Sequence, residues 1–360
     1  MNEIYYIYPK YKNLSFTSIA RAHIAGLKPR VKIQEIDEEV LDHALWLRPR
    51  NILLHPTLYV TIGDRKDQFK VRQERLSRCL KVKGKLGGFE TADTNQIGKW
   101  AVNTVNKLDV LFLPSDFAMR VFKSSGVKIP LFKIPHGLSD IMMSKPDKKR
   151  DIRFKDLLKI KRKNQAIFVL FFCLHSEYRK GADLVCEAME FVQGLHKDVY
   201  LILKTGEGDN QSIRQLSNLK TIKITSWLSE LELKQLYDIC DILIVPSRGG
   251  GFEMNAIEGI ARGLPTIVPD AGCFKDYVKY AIPVPILKRP TIFPDNPIHI
   301  GTGWECTPDF LADTINKTIT NLDEEKEKAK GRCEEIKNIY DWDKIVDRLY
   351  NILRKYGFCD

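Results

Sequence analysis

Residues 241–269 read DILIVPSRGGGFEMNAIEGIARGLPTIVP. Residues 241–245 are a short apolar run of the buried-strand kind, and Pro246 ends it. Gly249, Gly250 and Gly251 let the backbone turn sharply and come close to a ligand. A helical pattern follows over about 254–262, with Ala256, Ile257, Ile260 and Ala261 on one face. Gly263 is placed to cap its C-terminus, and Pro265 stops any continuation. Residues 266–268 read as the next strand. The unit is therefore strand, glycine loop, helix, strand. Free N–H groups and the positive dipole end at the helix start make a seat for an anion or a polar ligand, flanked by Glu253 and Glu258. A glycine turn before a helix is also common in α/β proteins without a ligand there, and an acidic first turn also serves the dipole. Local physics leaves both readings open.

The residues around this stretch resemble the signature of the retaining glycosyltransferases of family 4 (glycosyl transferases group 1). That pattern is Pro-Ser, a short loop, Glu-Gly-Phe-Gly, a few residues, Glu-Ala, then Gly-x-Pro-Val. Pro246-Ser247, Gly251-Phe252, Glu258 and Gly263-Leu264-Pro265 fall at the matching places. Two positions depart: Gly250 stands at the first Glu, and Glu253 at the second Gly. The resemblance implies an α/β GT-B fold, with two Rossmann-like domains facing a cleft and a C-terminal helix crossing back to the first domain. It implies a ribose contact for Glu258, with Gly250, Gly251, Phe252 and Met254 around the donor. Glu253 is expected to replace the donor-sugar contact missing at Gly250, an idea that fails if Glu253→Gln leaves turnover intact.

Upstream, residues 166–174 are continuously apolar, as in a strand buried on both faces. They lead to HSEYRKGADLVCEAMEFV, whose later part is helical, with Leu184, Val185, Ala188, Met189 and Val192 apolar. The family carries Gly-Arg and then Lys-Gly here, its two cations gripping the donor diphosphate. Lys180-Gly181 match, whereas the Arg falls on His175 and the Gly on Leu174. Lys180, then Arg179, then His175 are the expected diphosphate ligands; a basic surface turn is the plainer alternative. Residues 199–204 read as a strand ending in a loop at Gly206, where ligands bind in open α/β sheets. Residues 222–224 are another short strand. Trp227 marks the turn where the family makes its base contacts, and Ser229 with Glu232 forms a capping box for a helix over 230–240.

Residues 1–145 read as a first α/β domain, with strands at 4–8, 31–36, 51–54, 110–113 and 131–134. Helices are expected at 15–26 and after Ser115 and Asp116, which are good N-caps; 64–78 is basic and helix-like. Phe89-Glu90-Thr91, Leu113-Pro114-Ser115 and the turn Pro135-His136-Gly137-Leu138 also resemble family 4. Glu90 and His136 are thereby acceptor-side candidates, with a solvated turn as the other reading of His136. His55, before a proline, reads as structural.

Residues 146–165 form a basic linker that overlaps the charge run 144–164, read as a solvated face or as a contact for anionic lipid head groups. Residues 166–338 form the donor domain and 339–360 a final helix. Residues 270–297 are irregular and proline-rich, followed by a helix over 309–321, the stretch 324–339 and a helix over 344–355. Asp341-Trp342-Asp343 is explained by packing at a helix start and not by metal binding.

The chain has 360 residues, 44% hydrophobic and 29% charged, with a net charge of +11. It can bury real cores and is not disordered. The charge suits an anionic partner. Nucleic acid is disfavoured because aromatics are not interleaved with the basic residues. The N-terminus lacks a signal-peptide core, and no apolar run is long enough to span a bilayer. Eight scattered cysteines have neither Cys-x-x-Cys nor metal-ligand spacing with His. A cytoplasmic enzyme, peripheral at most at a membrane, is expected, with no metal and no cofactor. The implied activity is transfer of a sugar from a UDP- or GDP-sugar to a glycan, protein or lipid-linked acceptor. A GT-B epimerase, a non-catalytic nucleotide-sugar binder and a basic nucleic-acid-binding protein are the alternatives.

Overall fold

A computed structural model describes residues 3–12, 14–47, 50–61, 75, 77–81, 84–146, 154–208 and 211–360. The basic stretch 64–78 lies almost wholly outside these residues, as do residues 147–153 of the charge run. The chain separates into two compact units. One comprises Met1–Gly137, Phe293–Thr302 and Tyr340–Asp360; the other comprises Leu138–Ile292 and Gly303–Ile339.

The first unit carries a six-stranded sheet in the order β2-β1-β3-β4-β5-β6. Its strands are β1 (Glu3–Tyr8), β2 (Lys32–Asp37), β3 (Asn51–Leu54), β4 (Leu86–Phe89), β5 (Val110–Leu113) and β6 (Leu131–Lys133). All neighbours pair in parallel. Five of these strands coincide with the apolar runs of the sequence. The remaining one, β4, was not expected, because its sequence LGGF holds two poor strand formers. Packing explains both glycines. A Cβ at Gly87 would lie 2.8 Å from Leu53 Cδ2 and 2.9 Å from Phe358 Cζ, and one at Gly88 would lie 2.1 Å from Thr57 Oγ1.

The helices Ser15–Leu27 and Trp342–Lys355 pack against each other on one face of this sheet. The contact is close: a Cβ at Gly26 would come within 2.8 Å of Val346. Leu349, Leu353 and Phe358 are fully buried in the same core as Ile4, Leu53 and Phe112. The end of the chain thus completes the first unit, as the resemblance implied. Asp341 caps the final helix by accepting from the Asp343 N–H at 2.9 Å.

The second unit carries another six-stranded parallel sheet, in the order β12-β11-β10-β7-β8-β9. Its strands are β7 (Ile167–Cys173), β8 (Val199–Thr205), β9 (Thr221–Ile224), β10 (Ile242–Ile244), β11 (Thr266–Pro269) and β12 (Ile282–Val284). Strand β12 lies inside the proline-rich stretch and was missed in the sequence. It tolerates Pro283 because it is an edge strand, where a ladder N–H is dispensable. The helix Glu230–Ile239 opens with the expected capping box. The helix Lys155–Asn164 is largely exposed, held by the buried Phe154 and Leu157.

Strands β7 and β10 are neighbours with Leu243 opposite Leu170. The chain leaves β7 toward β8 on one side and β10 toward β11 on the other. This is a switch point, and the loops after both strands border the crevice that such sheets offer to ligands.

Candidate functional site

The loop after β7 contains the short helix Glu177–Lys180. The loop after β10 contains the glycines and ends at the helix Met254–Ala261. The two loops are tied by backbone: Arg248 donates its N–H to the Arg179 carbonyl at 2.7 Å. Arg179 answers through its guanidinium, which donates to the Gly249 carbonyl at 2.9 Å. Ser176 (φ 57°) and Gly181 (φ 79°) bracket this turn with left-handed backbone. The conformation is natural for glycine and costs a non-glycine residue roughly 1–2 kcal/mol.

Glu253 is the N-cap residue of Met254–Ala261, yet its side chain makes no capping bond. It turns to the cations instead. Lys180 Nζ donates to Glu253 Oε2 at 2.6 Å, and Arg179 Nη1 lies 3.6 Å from Oε1. Glu253 is only 4% exposed. Gly249, Gly250 and Gly251 are buried beside it, and a Cβ at Gly250 would lie 2.6 Å from Glu253 Oε1. Phe252 meets Tyr277 edge-on, with ring centroids 6.0 Å apart.

Glu258 sits one helical turn on. Tyr237 donates its hydroxyl to Glu258 Oε2 at 2.7 Å. Loss of hydration raises the Glu258 carboxyl to about 7, the Tyr237 hydrogen bond opposing the rise. Met254 is partly buried at the start of the same helix. His175 follows β7, Gly206 follows β8 and Trp227 follows β9, so all belong to the carboxyl edge of the sheet. His175 is exposed, with Nδ1 3.1 Å from Ser176 Oγ; Trp227 is 72% exposed.

Arg248 was not singled out in the sequence. It is 2% exposed. Its guanidinium donates to both carboxylate oxygens of Asp183 at 2.6 Å each, to the Tyr178 carbonyl at 2.6 Å and to Glu305. The Trp304 backbone N–H donates to the Arg248 carbonyl at 2.9 Å. Arg248 thus locks the two loops and residues 303–305 into one piece. An Arg between Pro-Ser and Gly-Gly carries no local signal for this, because its carboxylate partners lie 65 and 57 residues away.

In the first unit, Glu90 and His136 follow β4 and β6 and line one small recess with His23, His55 and Phe89. Glu90 is buried and accepts from the Leu58 and Thr91 N–H groups. Desolvation outweighs these bonds and pushes its carboxyl up to about 8. Tyr6 Oη lies 2.9 Å from His23 Nδ1 and 2.8 Å from His55 Nδ1. One hydroxyl proton cannot serve both rings, so at least one imidazole donates to the oxygen. Burial lowers His23 and His136 to about 3, keeping both neutral. His136 is buried and not a solvated turn residue.

Among the described residues, no group of three or more His, Cys, Asp or Glu side chains could hold a metal ion. No helix among them is long and apolar enough to cross a membrane.

Residues 166–286 match the family Glycosyl transferases group 1. Over 359 residues the chain is 27% identical to "Uncharacterized protein 356" of Sulfolobus islandicus rod-shaped virus 1, covering 98% of this chain and 99% of that protein. The fold is similar to that of HepE from Anabaena, crystallised with UDP and glucose (TM-score 0.71, 14% identity, 99% of this chain and 100% of that chain). It is also similar to sucrose-phosphate synthase of Thermosynechococcus elongatus (TM-score 0.68, 12% identity, 99% of each chain).

Proposed function

We propose that this chain, a GT-B glycosyltransferase whose residues 166–286 match the glycosyl transferases group 1, moves a sugar from a nucleoside diphosphate donor with retention of anomeric configuration. The observation that carries the reading is the convergence of Lys180, Arg179 and the buried glycine loop at the switch point between β7 and β10.

The chemistry asks for that convergence. As the glycosidic bond breaks, negative charge grows on the leaving diphosphate while the sugar gains oxocarbenium character. Fixed cations and N–H groups aimed at the developing charge lower the barrier. Lys180, Arg179 and the N–H groups of residues 250–252 supply that field without a metal. Glu258, one turn into the helix Met254–Ala261, receives the ribose hydroxyls, its carboxyl held in place by Tyr237. A UDP-sugar is the preferred donor, in line with the UDP and glucose found with HepE; a GDP-sugar is the competing choice. Glu90 and His136 face the acceptor, a glycan, protein or lipid-linked hydroxyl compound. The exposed basic helix Lys155–Asn164 suits anionic lipid head groups.

Thermal unfolding with UDP, GDP, ADP, dTDP and their sugar conjugates tests the donor. A ligand at 100 times its dissociation constant adds roughly 2.7 kcal/mol. One nucleotide family is expected to raise the transition, with no effect of chelator, and Lys180→Ala or Glu258→Ala is expected to abolish the rise. No rise with any of them overturns the reading. Dependence on chelator overturns its metal-free form. Nuclear magnetic resonance of the product anomer then decides retention.

A further inference from the structure

We propose that Glu253 and the donor diphosphate compete for the same two cations, so that donor binding exchanges one anion for the other and turns the Glu253 carboxylate onto the donor sugar beside Gly250. The proposal rests on the nucleotide-sugar reading above and goes beyond it in making Glu253 both a competitor and a sugar contact.

Three features of the site lead there. First, the Glu253 carboxylate is buried between Lys180 and Arg179, where a diphosphate seat would be. Second, its bonding is lopsided. Oε2 holds Lys180 at 2.6 Å, while Oε1 is buried without a hydrogen-bond partner and stands 3.6 Å from Arg179. That separation exceeds a hydrogen bond, and a purely structural ion pair would be expected to satisfy both oxygens. Third, Oε1 occupies the space where a side chain at position 250 would begin. The carboxylate therefore already points to the place that Gly250 leaves open, and a rotation about its own side-chain bonds carries it there.

The exchange conserves charge compensation. A diphosphate offers more acceptor oxygens than one carboxylate and can bind Arg179 and Lys180 together. Neither cation is left buried and unpaired at any stage. The freed carboxylate accepts hydroxyl hydrogens, which a sugar supplies and a bare nucleoside diphosphate does not.

Calorimetric titration of the full chain with UDP, GDP and their glucose and mannose conjugates tests this, with wild type, Glu253→Gln and Gly250→Ala side by side. Glu253→Gln keeps the shape and removes the competing charge. The bare diphosphate is expected to bind about ten-fold tighter, equivalent to about 1.4 kcal/mol. The advantage of the sugar conjugate over the bare diphosphate is expected to shrink by a similar factor. Gly250→Ala, whose methyl group displaces Oε1, is expected to tighten the bare diphosphate too, and it gives the answer if Glu253→Gln does not fold. Unchanged or weaker diphosphate binding in the folded variants, with wild type binding normally, overturns the exchange and leaves the nucleotide-sugar reading standing. No binding by wild type or either variant overturns that reading and the exchange with it.

Discussion

Glu90 couples the first unit to pH. Its carboxyl ionises at about 8 in the folded chain, through burial, against an ordinary value of 4.5. Between these values the folded state holds a proton that the unfolded state has lost. Stability therefore falls as pH rises from about 4.5 to about 8, and the penalty is complete above. Glu90→Gln keeps an acceptor for one of the Leu58 and Thr91 N–H groups, which bond to different oxygens of Glu90, and cannot ionise. Denaturant titrations across that range are expected to show a flatter stability curve for Glu90→Gln, with a relative gain on the order of a few kcal/mol at pH 9. The neutral histidines act in the opposite direction: His23 and His136 cost stability as pH falls from 6.5 toward about 3. None of this could be read from position alone. Glu90 and His136 were identified by their motifs, but the recess joining them to His23, His55 and Phe89 depends on strand order, which no local pattern states.

Arg248 shows how one buried side chain fixes several elements. It links the helices Glu177–Lys180 and Ala182–Leu195, the glycine loop and residues 303–305. Arg248→Ala removes the cation and leaves the buried Glu305 carboxylate without it, whereas Asp183 keeps access to water. Removing one partner of a buried pair typically costs about 3–5 kcal/mol, and chemical denaturation of the second unit is expected to show a loss of that order. Diphosphate binding is expected to weaken as well, because the loop carrying Gly249 loses its anchor. The strands and helices themselves were largely legible, for local reasons. Continuous apolar runs mark strands buried on both faces, and Ser229 with Glu232 announces a helix start by chemistry contained within four residues. Strands β4 and β12 escaped because their residues answer to distant neighbours. Gly87 and Gly88 are set by Leu53, Thr57 and Phe358, and Pro283 by its place at a sheet edge. The convergence of Arg179 and Lys180 on Glu253 was likewise hidden, since Lys180 and Glu253 are 73 residues apart.

The first unit draws on three separate segments of the chain. Ile345, Val346, Leu349, Leu353 and Phe358 are buried in its core. Full burial of each such side chain contributes roughly 1.5–3 kcal/mol, and together they rival the ~5–15 kcal/mol that holds an ordinary domain folded. Deleting residues 340–360 is expected to unfold the first unit and spare the second. Limited proteolysis checks this: cleavage should concentrate before residue 137, while a fragment spanning strands β7 to β12 persists.

That segmentation also sets a timetable during synthesis. Residues 1–137 leave the ribosome with an apolar face that residues 345–358 alone can cover. The second unit, made in between, has all of its sheet in hand first. At roughly 5–20 residues per second the wait is on the order of tens of seconds. The half of the enzyme that emerges first is therefore the half that finishes last, and the nascent chain carries an open hydrophobic surface through most of its own translation.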